Sequence, residues 1–276
     1  MSTGSAGDHY FQSGPLRLHY LQWGNEEARP LVLLHHVSSQ AHTWDDFAKR
    51  MSGDYRVLAL DLRGHCESEW AGEGNYTTEH YASDVAALVE HLGLREVIVL
   101  GGSLGGRVAL VYAGQHPEQV AALIMEDVGP VRPAEISQRF ADRVAGGDPE
   151  FDTVEQWAEH LRGDNRRTPP EAFLNLARQG TRQLSGGKLG LKRDPMIQRD
   201  FVPLELWQYV ERVPGPFLLL IGAESAIVSA EHRDRMVRTI PGSRAVTFQG
   251  AGHYIVHDKL DEFESTVREF LSSHGL

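Results

Sequence analysis

The 276-residue sequence has a single cysteine, Cys66, so no disulfide can form within the chain and the fold must rest on its apolar core. No apolar run approaches the roughly 20 residues that span a bilayer. The opening stretch MSTGSAGDHYFQSG lacks the basic and apolar regions of a secretory signal. A cytoplasmic protein with no membrane partner is therefore expected. Positive charge is in deficit: 27 Lys and Arg against 38 Asp and Glu give a formal net charge of -11. That balance argues against nucleic acid and anionic lipid as partners. Repeats and low-complexity tracts are also missing. What remains is 41% hydrophobic and 24% charged, enough for one large α/β domain or two smaller ones.

Short apolar runs recur along the chain: PLVLLHH (30–36), YRVLALDLRG (55–64), EVIVLGG (96–102), VAALIMEDVG (120–129) and PFLLLIGAE (216–224). Runs of this kind read as central strands of a parallel sheet covered on both faces. LRLHYLQWG (16–24) alternates like a half-exposed edge strand. Helical periods lie between and after them, at 77–93, 103–117 and 260–273. From about Val131 to Val213 the apolar strands stop, and ISQRFADRV, VEQWAEHLR and PEAFLNLARQGTRQL predict three or four short helices. The expected fold class is α/β: a mostly parallel, doubly wound sheet built from 1–130 and 214–276, with a helical cap inserted at 131–213.

Gly101-Gly102-Ser103-Leu104-Gly105 fits G-x-S-x-G between a strand and a helix, the setting in which that motif holds a nucleophile on a strained turn. The glycines make room for the turn, and the helix N-terminus aims N–H groups at the reacting centre. A serine needs a base. His253, in the glycine-flanked loop of VTFQGAGHY, stands where a Ser–acid–His chain order puts one. Backbone donors for an oxyanion are expected at Leu104, after the nucleophile, and at Val37, in the loop after an early strand.

LLHHVSS, DLRGHCES (61–68), GGSLGG and GAGHY together resemble the α/β-hydrolase fold family over nearly the whole chain. The resemblance implies a serine hydrolase of the α/β-hydrolase fold, distinct from the family's dehalogenases and epoxide hydrolases, which use aspartate as nucleophile. Three landmarks depart from the family pattern. His36 replaces a glycine, Gly102 replaces the histidine before the serine, and Cys66, read as a packing residue, replaces a glycine. His36 is open to three readings: it narrows the oxyanion loop, bonds substrate, or fills the room that Gly102 frees. The acid is also open. At the family's usual position the chain has Ala226, which leaves Asp127, Glu224 or no acid at all. Asp127 is preferred because it ends the strand beside the nucleophile's.

The predicted cap is rich in arginine, and Arg143 and Arg178 are candidates for binding a substrate carboxylate, with Trp157 lining or packing the cap. The chain is similar to hydrolases of small acidic catabolic intermediates, among them enol-lactonases and (E)-2-(acetamidomethylene)succinate hydrolase. The latter type takes its acid from the strand that ends here in Asp127. His35, His36, His42 and His65 lack the spacing of a metal site, and the chemistry requires no metal or other cofactor. The leading expectation is hydrolysis of an ester, lactone or amide in a small molecule, by a monomer or homodimer. The alternatives are carbon–carbon bond hydrolysis or cofactor-free oxygenation on the same fold, and a non-catalytic ligand-binding protein, for which Ala226 is the motive.

Overall fold

The strands of the sheet are β1 (Gly7–Ser13), β2 (Leu16–Trp23), β3 (Arg29–Leu34), β4 (Tyr55–Leu60), β5 (Val97–Gly102) and β6 (Val120–Glu126). After an inserted segment come β9 (Phe217–Gly222) and β10 (Ser243–Phe248); the insertion itself carries a short hairpin of β7 (Thr181–Gln183) and β8 (Leu189–Leu191). The computed structural model describes residues 6–163, 165, 167–198 and 205–276, without the side chains at 140, 141 and 143–145. The eight-stranded sheet has the order β1-β2-β4-β3-β5-β6-β9-β10. Its first two pairings, β1 with β2 and β2 with β4, are antiparallel and the rest parallel.

The side-chain alternation of a strand explains why both faces are covered. Leu31 and Leu33 of β3 pack with Ile98 and Leu100 of β5. Beneath them lie Phe47 of α1 (Asp45–Met51) and Phe263 and Phe270 of α10 (Leu260–Ser273). Val32, Leu34 and Val99 face the other way. There they meet Tyr81 and Val85 of α2 (Thr78–His91), Val108 of α3 (Leu104–Gln115) and, toward the sheet edge, Met236 of α8 (Ala230–Thr239). Burying these side chains fully stabilises the fold by roughly 1.5–3 kcal/mol each.

Two strand expectations need correction. β2 is not the edge, because β1 pairs along it and Leu18, Tyr20 and Leu21 are buried. GDHYFQS gave no apolar signal because an edge strand buries little; of its large apolar side chains only Phe11 is buried, while Tyr10 is exposed. The β7–β8 hairpin was also unforeseen, since three residues per strand are too few to show a period.

Between β6 and β9 the chain forms α4 (Ala134–Gly146), α5 (Val154–Arg162) and α6 (Pro170–Gly180). Trp157, Ala158, Phe173 and Ala177 make a small core of their own there. By Leu206 the chain has rejoined the main core: Leu206, Tyr209, Val210 and Val213, around α7 (Trp207–Val210), pack beside α3. The last short helix, α9 (Ile255–Asp258), follows the loop that holds His253. Among the described residues no helix is long and apolar enough to cross a membrane.

Candidate active site

β5 stops at Gly102 and α3 starts at Leu104, so Ser103 alone makes the turn, with φ 51° and ψ -112°. Such a backbone costs a non-glycine residue on the order of 1–3 kcal/mol and persists only when its surroundings dictate it. Here they do. A β-carbon at Gly101 would lie 2.2 Å from the Gly105 carbonyl, and one at Gly105 would lie 2.1 Å from the Leu34 carbonyl oxygen. The Ser103 N–H is held by the Glu126 carbonyl at 3.1 Å. Leu104 opens α3, and a first-turn N–H has no acceptor within its own helix.

Asp127, directly after β6, also turns through a left-handed backbone, φ 48°. Its buried carboxylate collects three donors. Oδ1 accepts the Gly222 N–H at 3.2 Å; Oδ2 accepts the Ser225 hydroxyl at 2.5 Å and His253 Nδ1–H at 2.7 Å. Glu224 does not reach His253, because its half-exposed carboxylate is held by Arg167 at 2.6 Å. Ala226 leaves its loop without a carboxyl there, while His253 finds one in Asp127, just past the end of β6. Ser225 was missed as a site residue: its neighbour's lack of a carboxyl drew attention, whereas its own hydroxyl reaches Asp127.

The loop after β3 is fixed by histidines used on the backbone. His35 Nδ1–H donates to the His36 carbonyl at 2.7 Å, and its Nε2 accepts the Leu62 N–H at 3.0 Å. Because the peptide is planar and trans, turning the His36 carbonyl toward His35 sends the Val37 N–H the opposite way. Ser38, at φ 58°, donates its N–H to His65 Nε2 at 3.2 Å, and its hydroxyl accepts from Arg193 and Gln198. Burial lowers the pKa of His35 and pushes that of His65 down to about 3, so both stay neutral in these roles. Among the described residues no three His, Cys, Asp or Glu side chains gather as metal ligands. Cys66, where the resemblance places glycine, sits at φ 45° with its thiol on the Gln40 amide oxygen.

The departures at His36 and Gly102 are one feature. A β-carbon at Gly102 would lie 2.2 Å from His36 Cε1, so the ring occupies the space that a side chain at 102 would take. His36 is wholly buried and stands perpendicular to His253, ring centroids 5.2 Å apart.

Ser103, His253, His36 and Val37 line one cavity of about 300 Å³, beneath α4. Val128, Val131, Ile136 and Ile227 give it apolar walls, and Arg107, Arg132 and Arg139 complete its lining. Among the described residues no Asp or Glu lines it. Arg107 donates to the carbonyls of Gly129 and Pro130. Burial, with Arg132 close by, pushes its pKa down to about 10, and burial brings Arg132 to about 10 as well. Both keep their charge at neutral pH.

Two of the expected cap ligands, Arg178 and Trp157, do not line this cavity. Arg178 is exposed on α6. Trp157 is buried inside the small core between α5 and α6, its indole N–H donating to the Leu189 carbonyl at 3.1 Å. The Arg143 side chain lies outside the described residues. Arg107 and Arg132 were missed. The first carried a signal, since it sits four residues after Ser103 and thus one helical turn behind it; Arg132, in a loop, carried none.

Residues 29–260 match the family model described as alpha/beta hydrolase fold. A 3-hydroxybutyrate-oligomer hydrolase of Cupriavidus necator is 30% identical to the chain, over 87% of the chain and 88% of its own length. An N-formylmaleamate deformylase of Pseudomonas putida is 29% identical over 98% of each. The crystal structure of an E-2-(acetamidomethylene)succinate hydrolase superposes with a TM-score of 0.88, covering 97% of this chain and all of that one, at 24% identity, a likeness of fold.

Proposed function

We propose, because this chain belongs to the α/β-hydrolase fold family and is a hydrolase, that it cleaves an ester, lactone or amide bond in a small carboxylate-bearing molecule through Ser103, His253 and Asp127. The observation that carries the reading is His253 Nδ1 at 2.7 Å from the buried Asp127, in the cavity that Ser103 lines from its strained turn.

Ser103 Oγ adds to the substrate carbonyl carbon as His253 Nε2 takes the hydroxyl proton. The carbonyl π pair moves to oxygen, and the Val37 and Leu104 N–H groups receive that oxyanion; one such donor is worth roughly 10²–10³ in rate. Collapse breaks the bond to the leaving alcohol or amine, which takes the proton from His253. Water then gives a proton to His253 as it adds to the acyl-enzyme, and the acid product departs with Ser103 restored. Asp127 holds His253 in the tautomer that leaves Nε2 free to accept.

The substrate class rests on charge. In a chain of net charge -11, three arginines and, among the described residues, no acid border the cavity above Ser103. A carboxylate is the ligand that a guanidinium takes bidentately. A relative named for N-formylmaleamate supports the same class.

The test compares a neutral p-nitrophenyl alkanoate with the p-nitrophenyl hemiester of a dicarboxylic acid of equal length. Wild-type protein should favour the hemiester in kcat/KM, and Arg132→Ala should lose about tenfold or more of that preference, 1.4 kcal/mol. Ser103→Ala should turn over neither. Equal turnover by Ser103→Ala would refute the nucleophile, and an unchanged preference in Arg132→Ala would refute the carboxylate site.

A further inference from the structure

A second carboxyl lies behind the site. Glu126 ends β6 directly before Asp127 and is wholly buried. Its Oε1 accepts the Val256 N–H at 2.8 Å. Its Oε2 faces His36 Nε2 at 3.5 Å. Neither that oxygen nor the His36 ring nitrogens have a partner at full hydrogen-bond geometry, although the His253 backbone carbonyl lies beside the His36 ring and the Ile255 N–H beside the Glu126 carboxyl. Buried polar atoms left this way cost about 1–3 kcal/mol each. The mechanism above uses neither residue.

The two protonation states are complementary. Burial pushes the Glu126 pKa up to about 8; the negative charges of Asp127 and Asp258 act the same way, against the Val256 and Ile255 N–H groups. Burial and the neighbouring His253, His257 and His35 hold His36 well below the usual imidazole range. At neutral pH a carboxylic acid that can donate therefore faces a neutral imidazole that can accept. Closing their gap to about 3 Å completes the bond. The pair then shares one proton, His36 keeping its own N–H on Nδ1, and carries no net charge, as suits groups taken fully out of water.

His36 also touches the reacting groups' supports. Its ring is wedged against Gly102 on one side, stands edge-on to His253, and packs on Tyr254 with centroids 4.5 Å apart. Its orientation therefore limits where the His253 ring can sit.

We propose that Glu126 and His36 are positioning residues: an acid–imidazole pair, joined by one shared proton, that fixes the His36 ring and through it holds His253 against Asp127. The pair rests on the hydrolase reading above. Losing the proton leaves a second carboxylate beside Asp127 and reverses the bond, so that His36 has to donate from Nε2 and give up the tautomer in which that nitrogen accepts. Turnover by the wild type therefore falls at alkaline pH as Glu126 ionises.

Glu126→Gln provides the direct test, since its amide accepts the Val256 N–H and donates to His36 at every pH. Glu126→Leu removes both functions at similar volume. The measurements are kcat and KM from pH 6 to pH 9 and the far-downfield proton resonance of the His253–Asp127 bond. Gln should keep kcat at neutral pH within about threefold, keep the resonance, and lose the alkaline fall. Leu should lower kcat about tenfold or more with little change in KM, and broaden the resonance. An alkaline fall retained by Gln, or kcat and resonance both unchanged in Leu, overturns the pairing. Should Leu not fold, the Gln profile decides alone. Ser103→Ala is the control: if it retains turnover the hydrolase reading fails, and the pairing with it, whereas an inactive Ser103→Ala with a null Glu126 series overturns the pairing only.

Discussion

Replacing Asp127 with asparagine changes one oxygen of the carboxylate to an amide nitrogen and leaves the volume of the side chain unchanged. The carboxylate now takes donors from Gly222, Ser225 and His253. In the variant the amide oxygen keeps the Gly222 N–H, while the NH₂ faces both the Ser225 hydroxyl and His253. The hydroxyl rotates and accepts. The imidazole accepts only by moving its proton from Nδ1 to Nε2, the atom that has to receive the Ser103 proton. A fixed wrong tautomer costs roughly 10⁴ in kcat, about 5.4 kcal/mol of barrier at 1.36 kcal/mol per factor of ten. Stability should fall by only about 1–2 kcal/mol, because the amide retains partners. Ser225→Ala removes one hydrogen bond to the charged group and should cost about tenfold in kcat. Steady-state hydrolysis of the p-nitrophenyl hemiester, with circular dichroism to verify the fold, gives both quantities. A folded Asp127→Asn protein within tenfold of wild-type kcat would refute the role of Asp127.

Other expected outcomes follow from burial and close approach. Gly105→Ala places its β-carbon 2.1 Å from the Leu34 carbonyl oxygen, a backbone atom that cannot step aside. It should cost more than about 3 kcal/mol or prevent folding, and an unchanged melting temperature would contradict this. Glu126 binds its proton more tightly folded, with a pKa near 8, than unfolded, at 4.5. Its contribution to stability is therefore complete below pH 4.5 and is lost as pH rises toward about 8, at up to roughly 1.4 kcal/mol per unit. Urea unfolding across that window should show the loss in wild type and a shallower slope in Glu126→Gln; equal slopes would count against a buried protonated acid. Trp157→Ala empties the small core between α5 and α6 and should cost that region roughly 3–5 kcal/mol. Limited proteolysis should then cut within 134–191 first, and cleavage spread evenly along the chain would argue against a separately packed unit.

What the sequence made legible was local. The turn at Ser103 is dictated by residues within four positions of it, so glycines, strand and helix are all visible in one short stretch. The central strands are legible because burial on both faces leaves a continuous apolar run, which the half-exposed β1 and the three-residue strands of the hairpin cannot show. The exchange of bulk between His36 and Gly102 was readable as a pair of size changes, though its contact spans 66 positions. The acid was not readable with the same sharpness. His253 and Ser225 meet Asp127 across 126 and 98 residues, and no local pattern distinguishes that carboxylate from Glu224. The arginines divide for a similar reason. Charge density pointed to the insertion, yet Arg178 faces water, while Arg107 lies on a core helix and was hidden in an apolar period.

If Ser103 is an activated nucleophile, a fluorophosphonate should form a single covalent adduct with it, and intact mass followed by peptide mapping reads the result directly. One adduct per chain on Ser103, slowed in Asp127→Asn and absent in Ser103→Ala, is the predicted outcome. A folded wild-type chain that stays unlabelled, or carries the adduct on another residue, would contradict it.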